Sequence, residues 1–103
     1  PSRFEPCGLN QIYSLRYGTV PIVRATGGLD DTIEETTGFK FSGYTGEALL
    51  GAVRQALATW RDRQAWREMM LRGMAKDFSW DASAARYSAL YRKLRNAGRP
   101  AAA

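Results

Sequence analysis

The sequence predicts an α/β fold: part of a parallel sheet with helices, ending in about three helices. Three observations carry that prediction. A β-branched run, Val20-Pro21-Ile22-Val23, is followed at once by Gly27-Gly28. Such a run reads as a short buried strand, with Pro21 at an edge or at the strand start. A short helical segment precedes it, and from Thr45 onward the apolar period changes to that of long helices.

The elements follow in order. Leu9 to Tyr17 reads as a short helix, with Leu9, Ile12 and Tyr13 near helical spacing and Gly18 as its C-terminal cap. Ala25 to Leu29 reads as a glycine loop at the carboxyl end of the strand. Asp30 to Glu35 is expected as a short helix with acids in its first turn. Thr37 to Phe41 reads as a turn and a brief extended piece. Thr45 is a good N-cap for a helix that carries Leu49, Val53, Leu57 and Trp60 on one face. A second helix is expected from about Arg63 to Lys76, with Trp66, Met69, Met70 and Met74 on its apolar side. Asp77-Phe78-Ser79-Trp80 interrupts it. Ser79 or Asp81 then caps a third helix with Tyr87, Leu90, Tyr91 and Leu94.

A lone strand cannot form a sheet with itself, so the strand is expected to need partners from outside the chain. The three helices alone could make a small core, but the strand would be left exposed. Residues 1–97 form one unit, and 98–103 read as a flexible tail. The chain reads as a fragment of a larger protein.

Composition narrows the chemistry. The 103 residues allow one small domain at most. The absence of histidine removes Ser-His-Asp and Cys-His catalysis, and with it the commonest metal ligand. The single cysteine cannot make an internal disulfide, and a reducing compartment is the simpler reading. No apolar run approaches the roughly 20 residues that cross a bilayer. Any catalysis must rest on carboxylates, backbone dipoles and cations, or on residues supplied by missing sequence.

Charge is uneven. Residues 1–60 carry five basic and six acidic side chains, while 61–103 carry ten basic and four acidic. A basic half can mark nucleic-acid binding. Here the cations are spread without a Lys/Arg run, as on the outer faces of amphipathic helices. Nucleic acid is therefore not an expected partner.

Two short motifs share one predicted edge. Ligands of open parallel sheets bind outside the carboxyl ends of the strands. Arg3 to Gly8 would follow a strand just upstream, and Thr26 to Leu29 follows the strand at 20–23. Glu5 stands before a helix start, where unpaired N–H groups favour anions. A lone acid there is also an ordinary cap. Cys7 is equally read as a small buried residue, and Gly8 as the residue a tight turn needs. Paired glycines are common turn punctuation.

Taken together, the motifs resemble a known family. Phe4-Glu5-Pro6-Cys7-Gly8-Leu9-Asn10-Gln11, then Leu15-Arg16-Tyr17-Gly18-Thr19-Val20-Pro21, then Thr26-Gly27-Gly28-Leu29 with Asp31-Thr32, resemble the C-terminal part of bacterial glycogen synthase and plant starch synthase. Phe78-Ser79-Trp80 and Tyr87 with Leu90-Tyr91 are similar to that family's terminal helices. The resemblance covers the chain to about Leu94.

It implies a GT-B glycosyltransferase, with two Rossmann-like domains and a cleft between them. The chain would be the last part of the nucleotide-sugar-binding domain. The implied reaction moves glucose from ADP-glucose to the nonreducing end of an α-1,4-glucan, with retention and without a metal or cofactor. Glu5 matches the acid beside the donor glucose. The backbone at Cys7 and Gly8 would contact the glucose hydroxyls. Leu9 and Asn10 N–H groups would face the diphosphate. Thr26, Gly27 and Gly28 would shape the adjacent wall.

Many retaining relatives carry a second glutamate eight residues after the first; here Tyr13 stands there, which favours glycogen and starch synthases over sucrose-related transferases. The implied partners are ADP-glucose, the glucan and the missing N-terminal domain of the same protein, with no membrane. The implied place is the cytoplasm, or the plastid in a plant. The cations that neutralise the leaving diphosphate would lie upstream, so the chain alone is expected to be inactive. The last helix would reach back toward the N-terminal domain.

Overall fold

The computed structural model describes residues 1–98. The elements run α1 (Asn10–Arg16), β1 (Ile22–Arg24), α2 (Gly27–Thr32), β2 (Phe39–Phe41), α3 (Gly46–Arg61), α4 (Arg63–Ala75) and α5 (Trp80–Ala97). The tail expected over 98–103 falls outside the described residues, apart from Gly98, which follows α5.

The strand at 22–24 does not stand alone. β1 and β2 pair in parallel, with Ile22 opposite Phe39, Val23 opposite Lys40 and Arg24 opposite Phe41. Residues 25–38 make the crossover, long enough for a parallel connection. The ladder extends past both ends of β1: Phe39 N–H donates to Pro21 O at 2.9 Å and Ala25 N–H to Phe41 O at 2.8 Å. Pro21 sits just outside β1, where its missing N–H costs no ladder bond.

The glycines at 27 and 28 are not a loop. They form the first turn of α2, which therefore begins earlier than the acids suggest and ends at Thr32. Glycine is a poor helix former, so its presence here reflects a tertiary demand. That demand is a close approach to residues 5–7, described below.

α1 ends as expected. Gly18 N–H donates to Leu15 O at 3.1 Å, and Thr19 N–H donates to Ser14 O at 2.8 Å. This pair of bonds is a Schellman closure that satisfies two terminal carbonyls. Its buried face differs from the one expected. Gln11 and Leu15 point inward, while Leu9 and Tyr13 are exposed.

The core sits under the sheet. Leu15, Val23, Leu29 and Ile33 form one buried cluster, with Ile33 fully enclosed. Burying a side chain such as Ile33 is worth about 1.5–3 kcal/mol. The core thus joins α1, β1, α2 and the turn after it. Thr37 closes that turn: its hydroxyl accepts from Glu34 N–H at 3.1 Å and bonds Glu34 O at 3.2 Å.

Two of the three long helices pack on this platform. Thr45 caps α3 by accepting from Ala48 N–H at 3.1 Å, and Asp62 caps α4 by accepting from Ala65 N–H at 3.1 Å. The face α3 buries is Ala52 and Ala56; Leu57 and Trp60 stay largely exposed. Small residues let α3 lie close to the sheet. On α4, Met69 is buried, Met70 is half-buried and Met74 is exposed. Phe39 of β2 stacks on Trp66 of α4, with ring centroids 6.3 Å apart.

α5 behaves differently. Ser79 caps it by accepting from Ala82 N–H at 3.2 Å, but the helix buries no residue. A small core of all three helices is therefore not formed among the described residues. Tyr87, Leu90, Tyr91 and Leu94 remain exposed, as expected for a helix whose partner lies elsewhere.

Candidate functional site

The parallel pair puts both strand carboxyl ends on one edge. Three loops gather there: residues 1–9, the β1–α2 turn at 25–26, and the segment 42–45 after β2.

Arg24, the last residue of β1, ties them together. Its Nη1 donates to Arg3 O at 2.7 Å and to Ser2 O at 3.4 Å, and its Nε donates to Ser42 O at 3.0 Å. The guanidinium also lies over the Tyr44 ring, 5.3 Å from its centroid. A planar fork with several donors suits this task, which a lysine could not perform.

The first motif is then locked to α2 through backbone. Gly28 N–H donates to Glu5 O at 2.9 Å. This carbonyl satisfies one of the unpaired N–H groups of the α2 start. A Cβ on Gly27 would collide with Glu5 O, and a Cβ on Gly28 would collide with the Cys7 backbone. Gly27 also has φ +47°, a conformation side chains disfavour. The two glycines are required by this contact rather than by a turn.

The structure brings Glu5, Cys7, Gly27 and Gly28 into one backbone-to-backbone contact, and sets Gly8 against the Gln11 side chain. Glu5 is half-buried, and among the described residues no ion pair engages it. Cys7 is exposed. Thr26 is the N-cap of α2, where its side chain makes no capping bond and its carbonyl accepts from Leu29 N–H at 3.1 Å.

Leu9 is the N-cap of α1 and also gives no side-chain cap. The first bond of that helix runs from Tyr13 N–H to Leu9 O at 2.9 Å, so the N–H groups of the first turn lie ahead of the ladder. Asn10 lines a separate groove of about 280 Å³ with Pro1, Ser2, Ser14 and Arg24, along the free side of β1.

Two residues of this edge escaped the sequence reading. Arg24 falls between the expected strand at 20–23 and the loop from Ala25, and Gln11 lies inside the expected helix Leu9 to Tyr17 with no role assigned. The available signal was Gln11 with Leu15 at i, i+4, which places both on one face. Gln11 is only 4% exposed. No group of His, Cys, Asp or Glu among the described residues is arranged to hold a metal ion.

The fold defines a class: this is an α/β segment with the fold of the C-terminal part of a GT-B nucleotide-sugar-binding domain. It superposes on the catalytic domain of starch synthase IV from Arabidopsis thaliana, solved with ADP and acarbose, with a TM-score of 0.77. That match is 36% identical and covers 90% of this chain and 21% of that one. It also superposes on sucrose-phosphate synthase from Thermosynechococcus elongatus, with a TM-score of 0.63, 36% identity, and coverage of 95% and 25%.

The sequence is more specific, and is similar to a stretch of bacterial glycogen synthases. It is 67% identical over 100 residues to glycogen synthase of Anaeromyxobacter sp. (strain Fw109-5), covering 91% of this chain and 21% of that protein. It is 58% identical over 107 residues to glycogen synthase of Koribacter versatilis (strain Ellin345), covering 97% and 22%. The chain thus spans about a fifth of the length of the curated relatives it matches. No protein-family model matches it.

Proposed function

We propose that this segment serves a glycosyltransferase that moves glucose from ADP-glucose to the nonreducing end of an α-1,4-glucan, with retention. The observation that carries this reading is the 67% identity to a glycogen synthase over nine-tenths of the chain. The ADP held by the related starch synthase supports the donor.

Each residue has a role in this reading. Glu5 lies beside the donor glucose, where its charge stabilises the positive charge that develops at the anomeric carbon. The backbone at Cys7 and Gly8 contacts the glucose hydroxyls. Leu9 and Asn10 N–H groups meet the diphosphate, as a helix start favours. Thr26, Gly27 and Gly28 form the wall that supports the Glu5 loop. The reaction needs no metal or cofactor; ADP-glucose is a substrate.

The remaining four-fifths of such an enzyme supplies the acceptor surface and the cations that neutralise ADP as it leaves. The chain by itself is then inactive, and its partner is the other domain of the same protein. Neither nucleic acid nor membrane enters the reading. No described helix is long and apolar enough to cross a membrane. A cytoplasmic enzyme fits this reading.

The test uses the full-length enzyme and follows glucose incorporation into glycogen. With ADP-glucose we expect robust transfer, and for Glu5→Gln a loss of about 10²-fold or more in kcat with folding intact. Incorporation only from UDP-glucose overturns the donor. Full activity in Glu5→Gln overturns the role of Glu5.

A further inference from the structure

The buried Gln11 carboxamide does more than fill space. Its two Nε2 hydrogens are shared among Cys7 O at 2.8 Å, Gly8 O at 3.0 Å and Thr32 Oγ1 at 3.1 Å. The Thr32 hydroxyl gives its own proton to Gly28 O at 2.6 Å, so it can only accept from Gln11. The network therefore runs in one direction, from Gln11 through Thr32 to the first turn of α2.

The consequence lies in the peptide planes. A trans peptide holds its C=O and the next N–H on opposite sides, and no cis bond occurs among the described residues. With the Cys7 carbonyl turned inward to Gln11, the Gly8 N–H points away from it. With the Gly8 carbonyl turned inward, so does the Leu9 N–H. Neither N–H finds an acceptor among the described residues. Gly8 itself makes room, because a Cβ there would stand 2.7 Å from Gln11 Oε1.

We infer that Gln11, relayed by Thr32, is a positioning residue for donor binding: it fixes two adjacent peptide planes so that Gly8 and Leu9 present their N–H groups to the sugar nucleotide. This rests on the proposed function for the identity of the ligand, but not for the geometry. Two preoriented donors need no reorganisation when the anionic donor arrives. Gln11 touches no substrate and acts only through the loop.

The experiment uses the full-length enzyme carrying Gln11→Glu, which keeps the shape and loses both donors. ADP affinity is measured by calorimetry beside steady-state kinetics. We expect KM for the sugar nucleotide and Kd for ADP to rise about tenfold or more, with KM for glucan within about twofold of wild type; the thermal midpoint falls as well, because the new carboxylate faces three acceptors.

Thr32→Val spares the two carbonyl bonds, so it is expected to weaken ADP about threefold, with Thr32→Ser restoring the wild-type value. A purely structural Gln11 would lower the thermal midpoint and leave donor KM, glucan KM and ADP affinity alone; that result overturns the inference. Where Gln11→Glu fails to fold, unchanged ADP affinity in Thr32→Val overturns it instead. A wild type that transfers from another sugar nucleotide refutes the donor, and the same comparison is then read on that nucleotide. Normal Gln11 variants beside an inactive Glu5→Gln refute this inference alone.

Discussion

The loop edge and α5 hold their shape by opposite means. At the edge, residues 3–8 are fixed by backbone bonds, by two glycines that permit close approach, and by buried or half-buried Gln11 and Arg24. Little of this depends on apolar area. α5 has 18 residues, a capped start and a stripe of Tyr87, Leu90, Tyr91 and Leu94, yet it buries nothing. The bonds that fix the first region lie among the described residues. The second is a helix whose apolar stripe has no counterpart among the described residues. The comparison teaches that the precise part of the segment is the part that carries the candidate site.

The strongest way to break the comparison is at Gly28. Its added Cβ would meet the Cys7 backbone, which no rotamer change can relieve. Gly28→Ala should therefore push the Glu5 loop off α2 and break the Gly28 N–H to Glu5 O bond. We expect a cost of about 3 kcal/mol or more in the stability of the full-length enzyme, with donor binding lost alongside it. Denaturant unfolding and ADP calorimetry measure both. A variant with wild-type stability would show that the loops are not locked here.

This locking also explains what the sequence concealed. The caps were legible, because Thr45 and Ser79 act through neighbours three residues away. The α/β class was legible from the run at 20–23 and the helical period after 45. The glycines at 27 and 28 were read as a loop because their reason is tertiary: the Cys7 backbone, some twenty residues earlier in the chain. The pairing of β1 with β2 was missed because each strand has only three residues. Strands that short give no periodicity to count. Both candidate loops were placed on one edge by a topological rule, yet Gln11 and Arg24 were not singled out, because buried polar partners have no local signature.

A weaker perturbation tests the other region. Since α5 has no packed face, its end depends on local bonds. Ser79→Ala removes the acceptor of Ala82 N–H and should cost the helix about 1 kcal/mol. Amide exchange at residues 80–83 should accelerate by about fivefold. The edge, which shares no contact with Ser79 in this network, should keep its protection. Equal acceleration at Gln11 and Thr32 would mean that the two regions are coupled.

The smallest effect concerns the ion pair that ties the turn after α2 to the end of α4. Lys76 Nζ meets Glu34 Oε1, and Arg72 Nε donates to Thr36 O at 3.0 Å nearby. The Lys76 hydrogen bond and charge hold the Glu34 carboxyl below its ordinary value of 4.5. A carboxyl lowered on folding adds stability above its unfolded value, and that addition is lost as pH falls through the lowered folded value. Both groups are partly exposed, so solvent screening keeps the contribution small. Asp77, lowered by its hydrogen bonds to Ser79, adds a loss of the same sign. Lys76→Gln separates them. Its thermal midpoint should lie slightly below wild type near neutral pH, and the gap should close as pH falls through the lowered Glu34 value. A gap that persists in acid would assign the effect to lost packing of the lysine stem rather than to its charge.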